Sequence, residues 1–133
     1  MGAKLPETRI HFYREDDGSV PFKEWLDDLA ARHAKAHKKC LAYLLQLRAE
    51  GHVLRRPIAA PLRDGVYELR PSYQGVHYRI LYGFVATGLV VVSHGTTKED
   101  RVPSAEIDRA ARRLAAYRKD PRKHSYPEDI LNG

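Results

Sequence analysis

The spacing of apolar positions changes period along the chain, and each change marks a new element. Thr8 to Tyr13 (TRIHFY) is short, rich in β-branched and aromatic residues, and followed by the charged run Arg14 to Gly18; it predicts an edge strand. Beyond it Phe22, Trp25, Leu26 and Leu29 fall at i, i+3, i+4 and i+7. That spacing predicts an amphipathic helix with Ser19 as its cap and Pro21 in its first turn. After a break near Arg32 and His33, Ala36, Cys40, Tyr43, Leu44 and Leu47 line one face of a second helix that ends at Gly51. The short link makes the pair an αα-hairpin. Trp25 reads as a core anchor and Cys40 as a small core residue.

From Leu62 the period drops to two. Val66 to Arg70 (VYELR), Gly75 to Phe84 (GVHYRILYGF) and Leu89 to Ser93 (LVVVS) read as an antiparallel meander with turns at Pro71 to Gln74 and Ala86 to Gly88. Pro103 and Ser104 open a last helix. Glu106 and Asp108 lie in its first turn, where negative charge suits the dipole, and Ile107, Ala110, Ala111 and Leu114 form its stripe. Asp120 to Gly133 lacks periodicity and reads as loop. The order β-α-α-β-β-β-α places the chain in the α+β class. The expectation is a compact single domain over residues 1–133, core about 8–119, with a mostly antiparallel sheet and helices mainly on one face. Parity puts Tyr67, Leu69, Val76, Tyr78, Ile80, Tyr82 and Phe84 toward the helices, and Glu68, Arg70, His77 and Arg79 on an open face. The last strand, apolar on both parities, is central.

Composition narrows the function classes. The 133 residues suffice for one domain, and no apolar run of ~18 residues is present to predict a transmembrane helix. The first ten residues show no apolar h-region, so a cytoplasmic protein is expected. One cysteine makes neither an intramolecular disulfide nor a structural zinc site. His33 and His37 stand four apart, but the intervening AKA lacks the glutamate of a zinc hydrolase motif, and no third ligand is evident. No metal or other cofactor is expected. The net charge is +6, and residues 32–56 alone carry +6, whereas residues 1–31 carry −3. Such a local excess suits a polyanion such as RNA, or an acidic partner.

Two stretches carry a family resemblance. PLRDGVYELRPSYQGVHYRILYGF, then VVVSHGTTKED and a basic amphipathic helix, resembles the RelE/ParE superfamily of type II toxins, closest to its phage-related HigB-like branch. The resemblance spans roughly residues 8 to 119. It rests mainly on the VYELR strand followed by YRILY, and on the HG-x-x-K turn before a P-x-x-E-I helix. It implies the β-α-α-β-β-β-α fold and ribosome-dependent mRNA endoribonuclease activity without a cofactor. It also implies a cognate antitoxin, expected to be a helix-turn-helix protein. Arg70 matches the basic residue that ends the strand in RelE-type nucleases, Arg79 the arginine of the YR motif, and His94 the histidine before glycine; Lys98 falls in the basic turn. Glu68 stands where some RelE-type toxins have a second lysine, the acidic TTKED replaces a more basic turn, and Tyr117 matches the C-terminal tyrosine only weakly.

Metal-free cleavage by the RNA's own 2′-hydroxyl needs a base, charge stabilisation on the phosphate and an acid for the leaving oxygen. Guanidinium forks on Arg70 and Arg79 suit the middle task. His94 suits either proton role. Glu68 is a candidate base, or a partner for Arg70 or Arg79, and Lys98 a candidate phosphate contact. Lys35, Lys38, Lys39 and Arg101 are the expected RNA- and ribosome-binding residues, with Tyr73 positioned to stack on a base. Two other readings stay open: a ParE-like DNA gyrase poison, and a non-catalytic degenerate toxin or phage-derived binding protein.

Overall fold

The computed structural model describes residues 7–98 and 101–127. In chain order the elements are β1 (Arg9–Tyr13), α1 (Pro21–Arg32), α2 (Ala34–Glu50), β2 (Ala59–Arg63), β3 (Val66–Leu69), β4 (Ser72–Tyr73), β5 (Val76–Ala86), β6 (Leu89–Lys98), α3 (Ser104–Lys119) and β7 (Ser125–Pro127). One seven-stranded sheet runs β2-β3-β5-β6-β1-β7, with β4 paired to the start of β5. Among the described residues only the β1–β6 pairing is parallel; the others are antiparallel. The described residues therefore form an α+β domain with three α-helices and a mostly antiparallel mixed sheet.

Several local expectations change. β1 is no edge strand: β6 pairs with one side of it and β7 with the other, and β7 lies in the stretch expected to be loop. Ser19 does not cap α1. Its hydroxyl donates to Asp17 at 2.7 Å, Val20 occupies the cap position, and Pro21 supplies the first helical residue. β2 and β4 were not expected. Each is joined to its partner by two residues with positive φ, Asp64–Gly65 (54° and 78°) and Gln74–Gly75 (51° and 81°), as tight primed hairpin turns require. The Asp-Gly pair is a strong hairpin signal, and it pointed to β2.

Two helices lie on one face of the sheet and the third on the other. α1 and α2 cover Ile10, Phe12, Leu69, Ile80, Tyr82, Val90 and Val92. α3 sets Ile107, Ala110, Leu114 and Tyr117 against Tyr13, Val66, Leu81, Leu89 and Val91. The second face is thus not left open, because α3 has an apolar stripe of its own to bury. Central β6 serves both layers, which is why its residues are apolar on both parities.

β6 is also longer than expected, because HGTTK continues the strand through Lys98 instead of turning. Leu81 pairs with His94 while Tyr82 pairs with Val92, leaving Ser93 as an extra residue in a β-bulge. The bulge inverts the alternation. His94 joins Val91 on the α3 face, and Gly95 joins Val92 under α1, where the Trp25 ring lies against it. A Cβ on residue 95 would run into three atoms of that ring. Gly95→Ala should therefore destabilise the fold by about 1–3 kcal/mol through overpacking. Urea unfolding of Gly95→Ala, alone and combined with Trp25→Leu, checks this: the combined variant should lose less than the two single losses together.

Candidate functional site

β3 ends in a cluster of buried charge. Glu68 and Arg79 are each 3% exposed, on neighbouring strands and on the α3 side of the sheet. Arg70, just past β3, donates from Nη1 to Glu68 Oε2 at 2.5 Å, and Arg79 Nε faces Glu68 Oε1 at 3.5 Å. Arg79 also donates to the carbonyl of Tyr78 at 2.8 Å. One carboxylate thus holds two guanidiniums, and the cluster keeps a net positive charge. Removing one partner of a buried pair typically costs about 3–5 kcal/mol, so Glu68 is tied to the fold as well as to any chemistry.

A cleft of about 850 Å³ opens beside this cluster, between the β2–β3 edge and the segment leading into α3. Arg56, Arg63, Arg70 and Arg101 line it, with Glu68 its only carboxylate among the described residues. Arg63 is committed to one wall, donating to the Ser104 hydroxyl at 2.6 Å and to Asp108 at 2.9 Å. Arg56 and Arg101 are exposed and make no ion pair among the described residues. Arg56 and Arg63 were not singled out from sequence; both flank or lie on β2, the strand that the Asp64–Gly65 turn marks.

The other expected site residues are dispersed. His94 is buried and faces α3, outside the cleft lining. Arg113 Nη1 lies 3.3 Å from His94 Nδ1 and can only donate, so Nδ1 is an acceptor and the proton sits on Nε2. Nε2 donates to Glu106 at 2.8 Å, and the Ser93 hydroxyl sits 2.7 Å from Nδ1. Arg113 in turn donates to Glu15 at 2.9 Å and stands over the Tyr13 ring at 5.7 Å. With both ring nitrogens engaged, His94 ties β6 to α3. Burial, then the Arg113 and Arg109 charges, hold its pKa below the ordinary imidazole value against the pull of Glu106.

Lys98 closes β6 opposite His77, and Glu99 and Asp100 of the TTKED run lie outside the described residues. Tyr117 is buried against α3's own core, its hydroxyl 3.0 Å from His11 Nδ1. Tyr73 does not stand beside Arg70 and Arg79. Its register opposite Val76 turns it to the α1–α2 face, where it shares a groove with Lys35. Lys38 and Lys39 are exposed on α2. Burial pushes the Cys40 thiol up to about 12, which leaves it inert. Among the described residues no three His, Cys, Asp or Glu side chains gather as a metal site, and no helix is long and apolar enough to cross a membrane.

A family model described as phage-derived protein Gp49-like (DUF891) matches residues 24–115, from α1 through most of α3. No curated protein matches the chain.

The neutral His94 ring gives the fold an acid-sensitive element. Below the ordinary value of 6.5 the unfolded chain takes up a proton that the folded ring resists, so stability falls as pH drops through the folded pKa. Urea midpoints measured from pH 7.5 to 5 should decline more steeply for the native chain than for His94→Gln. Parallel declines would show that the ring titrates as an exposed imidazole.

Proposed function

The chain belongs to the phage-derived Gp49-like family (DUF891), and from that premise we propose that it is the toxin of a type II toxin–antitoxin pair. In this reading it is a ribosome-dependent mRNA endoribonuclease that inhibits translation, restrained by a helix-turn-helix antitoxin. A phage-derived family is in keeping with the RelE- and HigB-like motif residues. The observation that carries the nuclease reading is the arginine-lined cleft with a single buried carboxylate at its edge.

The chemistry follows from what lines that cleft. Arg70 is the hinge of the site, because its side chain is 23% exposed while the side chain of its partner Glu68 is buried. It reaches the cleft but is held from below. A phosphate entering between Arg70 and Arg101 would be met by guanidinium forks that match its oxygens and stay charged at any working pH. As Arg70 turns to the phosphate, Glu68 Oε2 is released to accept the proton of the attacking 2′-hydroxyl. The 2′-oxygen–phosphorus bond forms and the bond to the 5′-oxygen breaks, leaving a 2′,3′-cyclic phosphate. The departing 5′-oxygen is met by Arg101 and takes its proton from water, and the hydroxide so formed takes the proton held by Glu68, which restores the carboxylate. Arg79 keeps the Glu68 carboxylate in place throughout. The resemblance-derived role for His94 gives way here to a structural one, since its nitrogens are occupied outside the cleft.

Induced expression should arrest growth, and primer extension on mRNA with and without ribosomes should map cuts only when ribosomes are present. Arg70→Ala should lower cleavage about 10²–10³-fold, the loss expected for one transition-state donor. Both Arg70→Ala and Glu68→Gln should also lower the unfolding midpoint, because each breaks the buried cluster, so cleavage is compared where circular dichroism shows each variant folded. Intact mRNA with ribosome binding retained would favour the non-catalytic binding protein. DNA-damage signalling without cleavage would favour the gyrase poison.

A further inference from the structure

The sheet face opposite the arginine cleft carries a separate groove of about 680 Å³, bounded by α1, the start of α2 and the β4–β5 hairpin. We propose that it docks an acidic, amphipathic peptide segment of a partner protein. The proposal stands apart from RNA cleavage, because no residue lining the groove lines the cleft.

Both apolar surface and charge point to such an occupant. Trp25, Leu29, Val76 and Tyr78 wall the groove. Val76 is 40% exposed, one of three large hydrophobic side chains left exposed among the described residues. The rim is basic. Lys35 lies on it, and Lys38 and Lys39 continue the charge along α2. The only lining carboxylate, Asp28, is engaged with Arg32 at 2.9 Å. The first turn of α2 carries no acidic residue, so its positive dipole end adds to the field.

An anionic occupant could be a peptide or single-stranded RNA, and the ring geometry separates them. RNA would need free aromatic faces on which to stack its bases. Trp25 is already stacked with Phe22, centroids 5.7 Å apart and planes 20° apart, and its ring also lies against Gly95. Tyr78 meets it edge-on at 6.3 Å and 69°, and Tyr73 is half-buried against the core. What remains for a ligand is ring edges and aliphatic surface. Aliphatic side chains at helical spacing fill such a groove, with acidic residues placed to meet the lysines.

Trp25 is the only tryptophan in the chain, so its fluorescence reports on this groove. A random-peptide display library should be selected against the full chain, and the enriched peptides and an oligouridylate titrated against it. Enriched peptides should combine Asp or Glu with spaced Leu, Ile or Phe, shift the Trp25 emission, and weaken as salt rises. Val76→Asp and Lys35→Glu should each reduce their affinity about tenfold or more, as loss of a central contact does. Arg70→Ala should not. Circular dichroism melts of the two groove variants should match the parent, which separates lost docking from lost folding. The proposal falls if no peptide is enriched or if the enriched peptides lack acidic residues. It also falls if both groove variants bind normally, or if oligouridylate shifts Trp25 and the peptides do not.

Discussion

The one-residue bulge at Ser93 organises the molecule. β6 pairs antiparallel with β5 and parallel with β1, and it is buried beneath helices on both faces. A central strand in that position must send every side chain into one layer or the other. Without the extra residue His94 would point beneath α1 and Gly95 toward α3. With it, the imidazole meets Glu106 and Arg113, and the bare backbone of Gly95 receives the Trp25 ring. The paired histidine and glycine therefore act as a two-sided fastening. An imidazole has no room beneath Trp25, and glycine could not bind α3. The polar end of the sheet, where Glu68, Arg70 and Arg79 gather, lies on the α3 face.

That polar end depends on a second constraint, the burial of Glu68 between two arginines. A lone buried carboxylate or guanidinium would be costly to desolvate, and the cluster offsets that cost only as a set. Its excess positive charge lies at the base of the arginine-lined cleft. Arg70 divides its contacts between the buried carboxylate and the open cleft, so the charge is positioned before any ligand arrives. Lysine at position 68, as in some of the toxins the chain resembles, would leave three cations together with no anion. The glutamate changes the local balance without removing the positive field.

Much of this arrangement was legible in the sequence. The three helices follow directly from their apolar spacing, and parity placed Glu68, Arg70 and Arg79 on one face, where they meet. The failures have physical reasons. β4 and β7, with two and three residues, are too short to show a period, and they exist because β5 and β1 offer open edges to pair with. β2 contains Pro61, which weakens the strand signal, although the Asp64–Gly65 turn was there to be read. His94 was chosen on the resemblance alone, and its place against α3 depends on a bulge, an added residue that the sequence pattern does not mark. Tyr73 was misplaced for a related reason: a turn expected from Pro71 to Gln74 is in fact two strand residues and a tighter turn, so its side chain goes to the other face.

The charge distribution divides in the same way. The +6 of residues 32–56 appears in the sequence as one basic segment, suited to one polyanion. In the fold its members separate. Lys35 borders the groove on the α1–α2 face, whereas Arg56 lies in the arginine cleft on the α3 side. The two depressions share a positive sign but differ in what surrounds it. One is walled by ring edges and aliphatic groups beside flexible lysines; the other is lined by planar guanidiniums around a buried carboxylate. Lysine offers a point charge that tolerates many geometries, while guanidinium selects oxygens spaced as in a phosphate. A basic sequence segment therefore need not imply one basic surface. The sheet separates its charge into two depressions with different linings, one on each face.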